Sequence, residues 1–222
     1  KNNPPMITHI LTEKDSFFNV VLAQLRDVNI QKDSMRFRYN LERLGYMFAY
    51  EISKTLSYRD EEVQTPLGIA KSRVLNDQVV LATVLRAGLP IHEGMLKVFD
   101  NAQNAFIAAY RKYGRNYKFT IQLEYLTSPS LDGKVLILSD PMLATGSTIL
   151  LTYQELVQQK GTPKHCHIVS PIASREGHEY LCRKLPQKGV TIWLGAIDEE
   201  LTTKSYIVPG LGDAGDLAYG EK

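Results

Sequence analysis

A chain of 222 residues, 44% hydrophobic and 23% charged, is long enough for one domain with a sizeable core and too balanced for a disordered or fibrous protein. Its formal net charge of +2 is too small to argue for nucleic acid or membrane as a partner. Two cysteines, Cys166 and Cys182, make neither a disulfide framework nor a metal site, and no stretch reads as a signal peptide or membrane span. Reduced thiols in a cytoplasmic protein are the expectation.

Residues 1–12 read as an extended arm, with Pro4-Pro5 ahead of Ile7-Thr8-His9-Ile10-Leu11. Two helices follow, one over roughly 13–27 and one from near Ser34, which is placed as its N-cap. Phe37, Leu41, Leu44, Phe48 and Ile52 give the second helix a continuous apolar stripe for core packing, and the helix pair offers a surface for a second copy. Arg26 and Arg38 read as structural. Residues 58–78 are polar, hold Gln64-Thr65-Pro66-Leu67-Gly68, and predict a hairpin or loop over the sheet.

Val79 to Leu85 is an unbroken apolar run, the pattern of a buried parallel strand. It leads into Arg86-Ala87-Gly88-Leu89, and Pro90 suits the first turn of a helix. An arginine at a strand's C-terminal edge followed by glycine suits pyrophosphate. The glycine admits the backbone and the guanidinium gives bidentate bonds. A surface arginine at a strand end is the plainer reading of this motif taken alone. His92 reads as a polar group on the helix, not a catalyst.

Ala105 to Tyr110 and Phe119 to Tyr125 predict two strands around Arg111-Lys112-Tyr113-Gly114-Arg115-Asn116-Tyr117-Lys118. Strand, basic loop, strand suggests a β-arm beside an anionic site, with a solvated hairpin as the alternative for most of its charges.

Val135 to Leu138 is a second buried strand. Asp140-Pro141 ends it and sets a carboxylate at the edge where open α/β sheets bind ligands. Ala144-Thr145-Gly146-Ser147-Thr148 then opens a helix whose Ile149, Leu150, Tyr153, Leu156 and Val157 share a face. Backbone N–H groups, the helix dipole and hydroxyls together suit a phosphate monoester. The loop has no lysine, so it is not the phosphate loop of nucleotide triphosphatases.

His165 to Ile172 predicts a strand with Cys166 and the two histidines on alternating faces, partly exposed and unable to converge on a metal. A helix over about 174–185 and the strand Val190–Leu194 come next. Tyr206-Ile-Val-Pro-Gly-Leu-Gly-Asp-Ala-Gly-Asp216, with the ending Tyr219-Gly220-Glu221-Lys222, carries four glycines and a proline, which predicts no regular element and many free backbone groups. Such a loop suits a flat ligand held by the main chain.

Asp140-Pro-Met-Leu-Ala-Thr-Gly146 resembles the phosphoribosyl pyrophosphate (PRPP) motif of the uracil phosphoribosyltransferases. Leu85-Arg-Ala-Gly-Leu89 resembles their pyrophosphate loop, Tyr110-Arg111 their PRPP-contacting pair, and the Tyr206–Asp216 string their uracil loop. The resemblance spans nearly the whole chain. It implies a type I phosphoribosyltransferase, a Rossmann-like α/β fold with a mainly parallel sheet flanked by helices. It also implies one domain over 1–222, with residues 1–57 as N-terminal arm and helices and 206–222 as the base-binding segment. The implied reaction joins uracil and PRPP into UMP and pyrophosphate, with Mg²⁺ accompanying the diphosphate.

The resemblance carries residue roles with it. Arg86, Asp140 and Asp213 are expected to be catalytic. Arg86, Arg111, Asp140, Pro141, Met142, Leu143, Ala144, Thr145, Gly146, Ser147, Thr148 and Asp213 are expected at PRPP, and Ile207, Gly212, Asp213 and Ala214 at uracil, with no direct protein metal site. A homodimer or larger assembly and a nucleotide effector such as GTP are expected partners; membrane and nucleic acid are not. Two departures matter. Ser147 stands where the family commonly has glycine, harmless only if its φ is negative. Leu217 stands where the family has a basic residue. The competing readings are an RNA-binding pyrimidine regulator on the same fold, favoured only by the basic arm, and a phosphoribosyltransferase for another base.

Overall fold

The computed structural model describes residues 6–113 and 119–221, and of residues 110–113 and 119–122 the backbone alone. In chain order the elements are β1 (Ile7–Ile10), α1 (Phe17–Arg26), α2 (Ser34–Ser53), β2 (Tyr58–Thr65), β3 (Gly68–Leu75), β4 (Val79–Leu85), α3 (Gly88–Leu96), β5 (Gln103–Tyr113) and β6 (Phe119–Thr127). They continue with β7 (Val135–Ser139), β8 (Met142–Leu143), α4 (Ser147–Lys160), β9 (His165–Ser174), α5 (Arg175–Lys184), β10 (Val190–Asp198), β11 (Glu200–Leu201), β12 (Ile207–Val208) and α6 (Ala214–Tyr219).

The main sheet runs β1-β10-β9-β7-β4-β5-β6, with β8 adding to β9. Every pairing is parallel except β5 with β6, which forms the antiparallel arm expected from the sequence. Alternation along the central strands divides the core into two layers. Leu81, Ile137, Val169 and Trp193 pack with α1, α2, α3 and α6, whereas Ala82, Leu138, Ile168 and Ile192 pack with α4 and α5. Helices on both faces leave the strand ends as the places where loops and ligands meet. The hairpin of β2 and β3 forms a separate two-stranded sheet, and β2 is exposed along nearly its whole length. Among the described residues no helix is long and apolar enough to cross a membrane.

The apolar stripe of α2 is fully buried, as its spacing predicts: Phe37, Leu41, Leu44, Phe48 and Ile52 all lie in the core. Its cap differs. Asp33, extended at φ −79° and ψ 101°, accepts the Arg36 N–H, and Ser34 is already the first helical residue. The longer acceptor just upstream takes the role. The expectation of partly exposed residues at 165–167 also fails for two of them. Cys166 and His167 are buried because β9 is an interior strand between β7 and β10. Burial pushes the Cys166 thiol well up.

Candidate active site

Arg86 and Asp140 follow neighbouring parallel strands, because β4 and β7 pair in a register that sets Thr83 opposite Ser139. The hydroxyls of that pair are 3.0 Å apart, locking the two strand ends together. Asp140 is held by its backbone N–H, which donates to Val169 O at 3.1 Å, and its Oδ1 accepts the Met142 N–H at 3.3 Å. Leu143 in β8 donates its N–H to Ser170 Oγ at 3.1 Å, so the start of the loop is fastened to β9.

The loop turns at Gly146, which has φ +79° and serves as the N-cap position of α4. A side chain is barred there twice, by that φ and because a Cβ would stand 2.9 Å from Gly177 O. Ser147 is the first residue of α4 and has no positive φ, so serine in place of glycine is harmless and adds a hydroxyl. Thr145 Oγ1 donates to Ser147 Oγ at 3.1 Å and accepts the Ser147 N–H at 3.3 Å, gathering hydroxyls at the mouth of a 14-residue helix. A residue without a sequence signal also shapes this turn. Ser174, which caps α5 by accepting the Gly177 N–H at 2.8 Å, donates to Ala144 O and pins the loop from behind.

The C-terminal segment meets the same edge. Arg86 donates to Asp216 Oδ1 at 3.1 Å and to Gly220 O at 3.2 Å, and its Nε is buried with no hydrogen-bond partner among the described residues. The expectation that 206–216 contains no regular element is corrected here. Ile207-Val208 pairs with Glu200-Leu201, and α6 begins at Ala214. The physical reason is Asp213, whose Oδ1 accepts the N–H groups of Gly215 and Asp216 at 2.9 and 3.1 Å and caps the helix despite Gly215 in its first turn. Leu217 packs against the core, so no basic group replaces the family's residue there.

Arg86, Asp140 and the segments 141–148 and 207–216 therefore all border the C-terminal ends of β4, β7 and β9. Arg111 has its backbone in β5 but its side chain lies outside the described residues, and residues 114–118 of the basic loop lie outside them altogether. His92 is buried on α3, with Nε2 2.8 Å from Asn104 Oδ1, and serves the core. Among the described residues no three His, Cys, Asp or Glu side chains could hold a metal ion. A cleft of about 480 Å³ lined by His9, Asp77, Lys164, His165, His167 and Trp193 lies at the opposite edge, beside the strand beginnings. Neither Arg86 nor the segments 140–148 and 207–216 line it.

A family model described as uracil phosphoribosyltransferase matches residues 12–221. A uracil phosphoribosyltransferase of Porphyromonas gingivalis is 53% identical over 96% of this chain and 97% of its own length. One from Pyrococcus furiosus is 41% identical over 94% of this chain and 88% of its own. Among solved structures, the AQ2163 protein from Aquifex aeolicus superposes with a TM-score of 0.85 at 32% identity, covering 96% of this chain and 98% of that one. With its residues 12–221 matched and relatives similar over nearly its full length, the chain belongs to the uracil phosphoribosyltransferase family.

Proposed function

We propose that this chain transfers the 5-phosphoribosyl group of PRPP to N1 of uracil, giving UMP and pyrophosphate. The observation that carries the reading is the meeting of Arg86, the Asp140–Thr148 loop and the C-terminal base loop at one sheet edge. The N1–C1′ bond forms as the C1′–O bond to the diphosphate breaks. The bonding pair leaves with pyrophosphate, and N1 gives up its proton to solvent. No covalent enzyme intermediate is needed, so positioning and charge stabilisation do the work.

In this reading residues 145–148 hold the 5′-phosphate at the α4 N-terminus. Pro141 to Ala144 shape the PRPP loop, and Asp140 lies beneath the ribose, where its charge favours an oxocarbenium-like transition state. Arg86, whose Nε has no partner among the described residues, and Arg111 take the diphosphate as its charge grows. Asp213 orients the site and, with Ile207, Gly212 and Ala214, borders uracil. Mg²⁺ fits as a companion of the diphosphate: the acids near Arg86, Asp213 and Asp216, are hard oxygen donors suited to an ion that keeps several waters. When bound, the ion neutralises diphosphate charge.

A homo-oligomer belongs to the same reading. Met35, Tyr39, Tyr46 and Tyr50 are half or more exposed on α2, and Leu67 and Ile69 project from the hairpin tip. Sedimentation of the pure protein checks it, and adding GTP to the assay checks the effector. Cys166 and Cys182 are both free, which supports the cytoplasmic placement. The direct test is incubation with PRPP, uracil and Mg²⁺. UMP and pyrophosphate should appear one for one and stop on chelation; no UMP at saturating substrates would overturn the proposal.

A further inference from the structure

One residue of the base loop, Gly210, is held through both its N–H and its C=O, in two successive peptide units, by an ion pair from elsewhere in the chain. The Gly210 N–H donates to Asp198 Oδ2 at 2.8 Å, and the Gly210 carbonyl accepts from Arg26 Nη1 at 3.0 Å. Arg26 and Asp198 are themselves joined bidentately, Nη1 to Oδ2 at 2.7 Å and Nη2 to Oδ1 at 2.8 Å. Arg26 is the last residue of α1, and Asp198 ends β10, so a helix and the sheet both fix this residue. Gln31 adds a neighbouring tie, donating from Nε2 to Leu211 O at 3.0 Å and to Leu25 O at 2.8 Å.

The held residue lies between Ile207 and Gly212, the residues assigned to the base. Gly210 and Gly212 have φ of +52° and +93°, so local propensity leaves this stretch free to take many shapes. A loop that reads a base with its main chain must nevertheless place N–H and C=O groups to within a fraction of an ångström. Asp198 is nearly buried, at 7% exposure, and Arg26 partly so, at 24%. A pair removed from water to this degree is a weak source of net stability, whereas its fork geometry specifies direction well.

We infer that Arg26 and Asp198 are positioning residues for uracil recognition, acting through the Gly210 backbone and not on the substrate. The inference rests on the uracil reading of the site. It also separates two roles. A simple ion pair works in either orientation, but a clamp on the backbone does not, because the N–H requires the acid and the carbonyl requires the base.

The test compares wild type, Arg26→Lys, Asp198→Asn and the charge swap R26D/D198R, with KM for uracil and for PRPP, kcat and Tm measured for each. Wild-type turnover of uracil is measured first; if it is absent, the uracil reading falls and the clamp with it. Arg26→Lys keeps the charge but loses the fork, and KM for uracil should rise about tenfold or more, the size of one or two lost charge-assisted bonds. KM for PRPP should stay within about twofold, because the PRPP loop is fastened separately by Ser170 and Ser174. The swap should leave uracil KM high. The inference is overturned if Arg26→Lys and Asp198→Asn shift both KM values equally in step with Tm, or if the swap restores the uracil KM.

Discussion

Arg86 donates to Asp216 Oδ1 across 3.1 Å, which ties the arginine proposed to hold pyrophosphate to the first turn of α6. Both side chains are about one-third exposed, so the pair is solvent-screened and weak enough for a diphosphate to compete for the guanidinium. Arg86→Ala should lower kcat/KM for PRPP by about 2–4 kcal/mol of transition-state stabilisation, the scale for losing one charged donor. Steady-state kinetics check this, and near-normal kcat/KM in the variant would refute the assignment.

The α4 N-terminus should hold the 5′-phosphate, since Gly146 turns the chain and Thr145, Ser147 and Thr148 bring hydroxyls to it. Thr148→Val should raise KM for PRPP about tenfold, the cost of a lost hydrogen bond to a charged group, and change uracil KM much less. Inorganic phosphate should compete with PRPP more weakly in the variant than in wild type. Equal weakening toward both substrates would instead mean that the turn itself had collapsed.

Residues whose partners are close in sequence were the legible ones. The unbroken runs of β4 and β7 predict buried parallel strands, and small hydroxyl residues after Asp140-Pro141 predict a helix mouth. Glycine count misled at 206–216, because a single cap, Asp213, is enough to start α6. Contacts between distant residues left no local pattern. Arg26 reads as an ordinary helix-end arginine until Asp198, 172 positions away, comes beside it. Ser174 reads only as the start of a helix, and its bond to Ala144 O depends on how α5 packs on the loop. The Arg86–Asp216 contact spans 130 positions in the same way.

The histidines of the opposite edge make a separate prediction about stability. Trp193 donates its Nε1–H to His167 Nδ1 at 3.0 Å, which requires that nitrogen to be unprotonated. Burial, with the nearby His165 and His9, pushes the His167 pKa down from 6.5 to about 3. The unfolded chain therefore takes up a proton near pH 6.5 and the folded one only near pH 3, so stability present above pH 6.5 is lost progressively as pH falls through this window. His92, His165 and His178 are shifted down as well, chiefly by burial, and add with the same sign. His167→Asn leaves Trp193 an acceptor that does not titrate. Its Tm should fall less steeply than wild type between those limits, and an unchanged slope would contradict the assignment.

The central claim is that main-chain groups of the 207–214 segment choose uracil. Uracil offers a carbonyl at position 4 and an N–H at position 3, and cytosine reverses both. Two unpaired buried groups at about 1–3 kcal/mol each give discrimination on the order of 10²–10⁴. Val208 is 39% exposed, and Val208→Ala keeps the backbone groups and should leave the ratio nearly intact. Gly212 has φ +93°, and a Cβ there would meet only Leu217 Cδ1, at an ordinary 3.7 Å, so Gly212→Val acts on the backbone conformation and should abolish uracil use. The deciding measurement is kcat/KM for uracil against cytosine, with PRPP saturating, in wild type and both variants. The account predicts at least about a hundredfold preference for uracil in wild type and Val208→Ala, and none measurable in Gly212→Val. Comparable turnover of cytosine by the wild type, or full activity of Gly212→Val, would contradict it.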